Sequence, residues 1–76
     1  MPLLEHIRDI FARNVKKYRL KLSLTQEVLA ERSGLHRTYI SAVETKKRSI
    51  SLDNIQKIAN ALEIDVHKLF LSDVSK

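Results

Sequence analysis

Hydrophobic residues in the first third of the chain recur at steps of three and four positions. This apolar stripe consists of Leu4, Ile7, Phe11, Val15, Tyr18 and Leu22. The basic residues lie off the stripe, at Arg8, Arg13, Lys16, Lys17 and Lys21. An α-helix repeats every 3.6 residues, so this spacing places the apolar side chains on one helical face. The pattern therefore predicts a long first helix over about residues 3–21.

A second hydrophobic pattern then recurs along the rest of the chain, with an apolar residue on each side of a helix start. The flanking pairs and their caps are Leu24 and Leu29 around Thr25, Leu35 and Ile40 around His36, Ile50 and Ile55 around Ser51, and Ile64 and Leu69 around Asp65. This is the spacing of the hydrophobic staple. Thr, Ser and Asp are good N-caps because their side-chain oxygens accept an amide hydrogen of the first turn, whereas His36 is a weak cap. The pattern predicts helices over about 26–33, 37–44, 52–62 and 66–71.

The chain contains few residues that interrupt regular structure, since Gly34 is the only glycine and Pro2 the only proline. With little strand-like alternation, this favours a compact all-α domain of five helices that spans residues 1–76 without a linker. Beyond the stripe, the expected core consists of Val28, Leu29, Leu35, Ile40, Val43, Ile55, Ile58, Ala59, Leu62 and Leu69. Gly34 can adopt the left-handed conformation that a tight turn between helices needs. Ala30 is a small residue on the inner side of helix two, where helix three must cross closely. Residues 26–44 therefore fit a helix-turn-helix, although an ordinary helical hairpin has the same pattern.

Composition narrows the function classes. Lys plus Arg number 14 against 9 Asp plus Glu, which gives a formal charge of +5. Such a surface fits a polyanion such as nucleic acid, although it also fits a merely soluble basic protein. We expect no metal or other cofactor and no enzyme, because there is no cysteine, the three histidines are scattered, and no acid, base or nucleophile groups converge. Without a membrane-length apolar run or a signal peptide, we expect a cytoplasmic protein with no membrane contact.

The segment TQEVLAERSGLHRTYISAVE resembles the helix-turn-helix of the Cro/CI-type (XRE) repressors. The matching residues are Gln26, Leu29, Ala30, Gly34, Ile40 and Val43. The flanking segments VKKYR and LDNIQKIANALEIDVHKLF are similar to the other helices of that family, so the resemblance covers about residues 12–71. Within the family, HRTYISAVE is most similar to the controller proteins of restriction–modification systems. The resemblance implies a lambda-repressor-like fold and sequence-specific binding of double-stranded DNA.

The resemblance also implies roles for individual residues. The positions that match base-contacting residues are Arg37, Thr38, Ser41 and Ala42. Gln26 matches a glutamine that contacts a DNA phosphate, and we also expect backbone contacts from His36, from Tyr39 and from the basic run after the recognition helix, Lys46, Lys47 and Arg48. Arginine chemistry supports the first set independently, because Arg can donate two hydrogen bonds to guanine, worth about 1–3 kcal/mol of discrimination. Alternatives are that Tyr39 contacts a base or only packs, that Arg37 is solvated or contacts a phosphate, and that the basic run is a solvated loop.

A buried pair and three departures complete the family comparison. Arg19 and Glu44 match a pair that forms a partly buried salt bridge between helices one and three, although Arg19 could also reach a phosphate. The family usually has a glycine where this chain has Ser23, and Asn-Gly where it has Thr45 and Lys46. At the start of helix three, the family usually has a Ser, Thr or Asp cap, where this chain has His36.

Glu27 adds negative charge at the positive end of the helix-two dipole.

Because five helices use nearly all of the 76 residues, we expect no small-molecule effector domain. One recognition helix reads only a few base pairs, so we expect a homodimer on a palindromic operator with half-sites about 34–36 Å apart. The expected dimer surface lies within about residues 60–74 and comprises Ile64, Val66, Phe70, Leu71 and Val74, although these residues could instead complete the core. The hypothesis is a transcriptional regulator that controls a restriction–modification system. The alternative is an antitoxin-like or other protein-interaction module.

Overall fold

The computed structural model describes residues 6–72 as four α-helices followed by a 3₁₀-helix. These elements are α1 (Ile7–Lys21), α2 (Gln26–Ser33), α3 (Arg37–Glu44), α4 (Leu52–Leu62) and the 3₁₀-helix η1 (Val66–Phe70). Residues 6–72 contain no β-strand. None of the helices in this range has the length and apolarity needed to cross a membrane. The predicted all-helical helix-turn-helix architecture is therefore confirmed, but its last element is not an α-helix.

The N-terminal boundary of α1 differs from the prediction. His6 has an extended backbone (φ −67°, ψ 137°), and its Nδ1 atom accepts a hydrogen bond from the Arg8 amide at 3.1 Å. His6 is therefore the N-cap, and α1 begins at Ile7 rather than near residue 3. Leu4, the first member of the apolar stripe, lies outside the described residues.

The capping predictions hold at two of the later helices. The Thr25 hydroxyl accepts a hydrogen bond from the Val28 amide at 3.1 Å, and the Ser51 hydroxyl accepts one from the Asn54 amide at 3.1 Å. His36 makes no side-chain capping bond at the start of α3. The position of α3 is thus set by packing and by the preceding turn rather than by its own cap.

The predicted α-helix over residues 66–71, capped by Asp65, is wrong in both respects. The element is a 3₁₀-helix, and the Asp65 side chain makes no capping bond. Instead, the Lys68 amide donates to the Asp65 carbonyl at 3.1 Å, which is the i to i+3 pattern of a 3₁₀ turn. So short an element gains little from the cooperativity that stabilises longer α-helices.

Asn14 connects α1 to the end of the 3₁₀-helix. Its side chain is almost fully buried (1% exposed), and Nδ2 donates hydrogen bonds to the carbonyls of Leu69 at 3.0 Å and Leu71 at 2.8 Å. Burying the Asn14 amide and these two carbonyls without hydrogen bonds would lower the stability of the fold. The bonds therefore fix the C-terminal segment against α1.

The core lies where all five elements meet. Its buried apolar members are Phe11, Val15, Leu24, Leu29, Ala30, Ile40, Val43, Ile55, Ile58, Ala59, Ala61, Leu62 and Leu69. Val28 and Leu35, predicted as core, are half-buried against this cluster. Ile64, Val66 and Phe70 also pack on it, and the Phe70 ring stacks on Phe11 with centroids 5.2 Å apart. Part of the expected dimer surface therefore completes the domain's own core.

The turn between α2 and α3 has the predicted left-handed glycine. Gly34 has φ 76°, and the Leu35 amide donates to the Ala30 carbonyl at 3.0 Å. This bond and the one from the Gly34 amide to the Glu31 carbonyl at 3.3 Å satisfy carbonyls in the last turns of α2, and the chain reverses sharply there. The turn thereby brings the first turns of α2 and α3 close enough for their side chains to meet.

Candidate nucleic-acid interface

The third helix has a buried side and a polar side, as its sequence predicts. Ile40 is fully buried, and Val43 is 4% exposed. On the polar side, Arg37 and Thr38 are exposed, whereas Ser41 and Ala42 are only half-buried. The most accessible groups therefore lie at the beginning of α3. Behind them, the small side chains of Ser41 and Ala42 project little from the helix.

An ion pair connects the C-terminal end of α3 to α1. Arg19 Nε donates to Glu44 Oε2 at 2.7 Å, and Arg19 Nη2 donates to Glu44 Oε1 at 3.0 Å. Arg19 Nη1 also donates to the carbonyl of Leu24 at 2.9 Å. The Arg19 and Glu44 side chains are 10% and 4% exposed. The hydrogen bond to Glu44 raises the pKa of Arg19 above its ordinary value, against an opposing effect of burial.

Gln26, the first residue of α2, joins this ion pair. Its Nε2 donates to Glu44 Oε1 at 3.1 Å, and the residue is half-buried. The amide nitrogen expected near a DNA phosphate thus helps hold α2 against α3. The backbone at this end of α2 remains a helix N-terminus, where free amides favour an anion.

A second ion pair, not anticipated from the sequence, joins the first turns of α2 and α3. Arg37 Nε lies 3.1 Å from Glu27 Oε2. The two side chains are 55% and 65% exposed, so the pair lies at the protein surface. The arginine expected to contact bases is therefore partnered by a carboxylate from the neighbouring helix.

Tyr39 is a packing residue in this structure. It is half-buried against the core, and its hydroxyl accepts a hydrogen bond from Asn54 Nδ2 at 3.2 Å. The Arg48 guanidinium carbon lies 5.1 Å from the centre of the Tyr39 ring, within the range of a cation–π contact. Tyr39 therefore links α3 to α4 and supports one cation of the loop between them.

The loop after α3 presents three exposed cations, Lys46, Lys47 and Arg48. Lys46 has φ 65°, the left-handed conformation that suits the glycine found here in the family. Its Nζ atom lies 3.3 Å from Asp9 Oδ1 of α1. The Lys47 amide donates to the Ala42 carbonyl at 2.8 Å. The basic loop is thus held against the end of α3 rather than extended away from it.

An apolar cavity of about 210 Å³ lies between α1, the loop after α3 and the C-terminal element. Its walls include Ile7, Ile50 and Phe70, with Arg8 and Arg48 beside them. Ile7 is 59% exposed, and Leu71, which follows Phe70, is 53% exposed.

Within residues 6–72, no three His, Cys, Asp or Glu residues cluster in a way that could hold a metal ion.

Comparison with known proteins places this geometry among DNA-binding regulators. The family described as "Helix-turn-helix" matches residues 15–69. Control protein C.SmaI of Serratia marcescens is 51% identical over 63 residues, covering 83% of this chain and 75% of that protein. The restriction-modification controller protein C.AhdI from Aeromonas hydrophila is 41% identical with a TM-score of 0.81, covering 83% of this chain and 96% of that one. C.Esp1396I bound to a 25 base pair operator site is 33% identical with a TM-score of 0.74, covering 95% of this chain and 86% of that one.

Proposed function

This chain belongs to the helix-turn-helix family of XRE-type transcription regulators, and from that premise we propose that it is a homodimeric regulator that binds a palindromic operator in double-stranded DNA. The observation that carries the proposal is the exposed beginning of α3, where Arg37 and Thr38 stand on a helix whose other side is buried. Such a helix fits the major groove of B-DNA, which is wide enough to admit it.

In the proposed complex, base contacts and phosphate contacts come from different parts of the chain. Arg37 and Thr38 contact base edges. The small side chains of Ser41 and Ala42 let α3 approach those bases closely. The N-terminal backbone of α2 and the basic loop after α3 contact phosphates on either side. Phosphate contacts fix the register of the protein, and base contacts select the sequence.

The regulated genes are proposed to be those of a restriction–modification system. Support comes from the relatives, since both C.SmaI and C.AhdI are control or controller proteins and the chain covers most of each. A control protein of this kind acts through its own concentration, because dimerisation and operator occupancy both rise as the protein accumulates.

Arg37→Ala is expected to lower the preference for the operator over unrelated DNA by roughly 30- to 10⁴-fold, the equivalent of one lost bidentate base contact in each subunit of the dimer. The operator is first obtained with the wild-type protein by selection from random duplexes. Binding of both proteins to the operator and to an unrelated duplex is then titrated. Arg32→Ala is the matched control, because Arg32 lies in the last turn of α2, 3.6 Å from Glu63.

A wild-type preference that survives in Arg37→Ala would remove Arg37 as a base reader. The absence of any selected sequence, together with co-purification of a protein partner, would favour a protein-interaction module instead.

We further propose that a second copy binds at the end of the C-terminal element, around Phe70 and Leu71. Leu71 is 53% exposed and lies next to the apolar cavity that Phe70 and Ile7 line. Ile64 and Val66 are half-buried against the core and contribute at most an edge. Val74 belongs to the proposed surface but lies outside the described residues.

Leu71→Asp is expected to weaken the dimer about tenfold or more, because a charge would have to be buried in an apolar contact. Sedimentation equilibrium measures the dissociation constant. Leu20→Asp is the control, since Leu20 on α1 is 55% exposed and the substitution is the same. Equal dissociation constants for the two variants would rule out the proposed surface.

A further inference from the structure

The Glu27 carboxylate approaches Arg37 at the Nε atom of the guanidinium. Glu27 Oε2 is 3.1 Å from Arg37 Nε. A guanidinium has five N–H donors in a fixed fork, one on Nε and four on the two terminal nitrogens. With the Glu27 carboxylate paired beside Nε, the terminal nitrogens can still donate two parallel hydrogen bonds to the O6 and N7 atoms of guanine.

We propose that Glu27 is a positioning residue that holds Arg37 in the orientation for end-on recognition of guanine, and so sharpens the base preference at that position. This inference rests on the proposed function, in which Arg37 contacts a base. Glu27 itself contacts no DNA in this arrangement and acts only through the arginine.

Stability does not account for the pair. Both side chains are more than half exposed, and exposed ion pairs contribute little to folding. Glu27 also stands at the start of α2, next to Gln26 and beside the expected path of the phosphates. A carboxylate there repels DNA and lowers affinity for every sequence. Its charge in the first turn of α2 contributes modestly through the helix dipole, and we assign its contact with Arg37 to the selection of sequence rather than to the strength of binding.

Positioning an arginine in advance has a measurable value. Ordering one side chain with many rotamers on binding lowers affinity by a factor of about 2–12, and a side chain already held in place avoids most of that loss. The gain applies only where the arginine meets its base, so it raises affinity for the cognate site and leaves unrelated DNA unaffected. Removal of Glu27 should therefore lower the preference for the cognate site, while affinity for unrelated DNA stays equal or rises.

The test compares Glu27→Gln with Glu31→Gln, which removes the same charge from an exposed position on the same helix. Each protein is titrated with the selected operator, with the operator carrying adenine in place of the guanine read by Arg37, and with an unrelated duplex. That guanine is the position whose preference is lost in Arg37→Ala. For Glu27→Gln, we expect the guanine-over-adenine ratio to fall about 2- to 12-fold while affinity for unrelated DNA stays equal or rises.

Glu31→Gln should raise affinity for all three duplexes by a similar factor and leave the ratio unchanged. The double variant Glu27→Gln/Arg37→Ala should show the ratio of Arg37→Ala alone, because Glu27 acts through the arginine. Thermal unfolding of Glu27→Gln should remain cooperative, with only the small decrease in midpoint expected when a first-turn charge is lost from the helix dipole, which separates positioning from a folding defect.

A guanine preference that is lost in Arg37→Ala but intact in Glu27→Gln would overturn this inference alone. A uniform shift of all three affinities in Glu27→Gln, equal to that of Glu31→Gln, would overturn it as well. A wild-type protein without any base preference would overturn the proposed function together with the inference.

Discussion

Arg19→Met should lower the free energy of unfolding by about 3–5 kcal/mol, the usual effect of removing one partner of a buried ion pair. The substitution leaves the Glu44 carboxylate, which is 4% exposed, without its two bonds from Arg19. It also leaves the carbonyl of Leu24 without its donor. Thermal unfolding followed by circular dichroism should show a midpoint lower by on the order of 20 °C, since 1 kcal/mol corresponds to about 4–8 °C in a domain of this size.

Two further variants separate burial of charge from loss of the arginine stem. Arg32→Met removes an exposed arginine 3.6 Å from Glu63, and we expect it to change stability by less than about 1 kcal/mol. Arg19→Met combined with Glu44→Leu removes both buried charges, and it should recover much of the stability lost in the single variant. Equal midpoints for Arg19→Met and Arg32→Met would show that the buried pair contributes no more than a surface pair.

Operator affinity should fall by about 10³–10⁵ between 50 and 200 mM salt, as for proteins that neutralise about 6–10 phosphates. The reason is that each cation bound to a phosphate releases counterions, and this release is less favourable as salt rises. The relevant cations are the exposed Lys46, Lys47 and Arg48, which the loop holds beside α3. Titrations at several salt concentrations give the slope of log affinity against log salt.

Single substitutions then assign individual contacts. Lys47→Gln should reduce the magnitude of the slope by about 1.8 if each subunit of the dimer loses one phosphate contact, with the base preference unchanged. Lys57→Gln, an exposed cation on α4, is the control and should leave the slope at the wild-type value. A slope that changes equally in both variants would indicate an effect of net charge, and the loop would then have no particular role.

Local chemistry explains why so much of the fold was predictable from the sequence. Thr25 and Ser51 cap helices through bonds to residues three positions away, so the starts of α2 and α4 follow from short segments. The 3₁₀ character of the last element was not predictable in this way. It depends partly on Asn14, which bonds to carbonyls more than 50 residues along the chain. The only signal in the sequence was an amide next to the apolar stripe of α1.

The candidate interface divides similarly. Periodicity alone indicated that Arg37 is exposed and Ile40 is buried, because both positions depend on one helix. The contact between Arg37 and Glu27 depends on how α2 and α3 cross, and the spacing of residues within either helix does not contain that angle. The family comparison marked Ser23 and Lys46 as replacements of glycine, and both have positive φ (60° and 65°). A missing glycine therefore indicated a backbone conformation that propensity alone would not assign.

The bonds from Asn14 hold the end of the C-terminal element at a fixed position on α1. In a dimer formed through Leu71, hydrogen bonds and packing connect the subunit contact to α3 through Asn14, α1 and the buried ion pair between Arg19 and Glu44. The distance between the two recognition helices is then fixed by the fold. One base pair inserted between the half-sites moves them apart by about 3.4 Å and turns one by about 35°. Such a protein should distinguish operators by their spacing as sharply as by their bases.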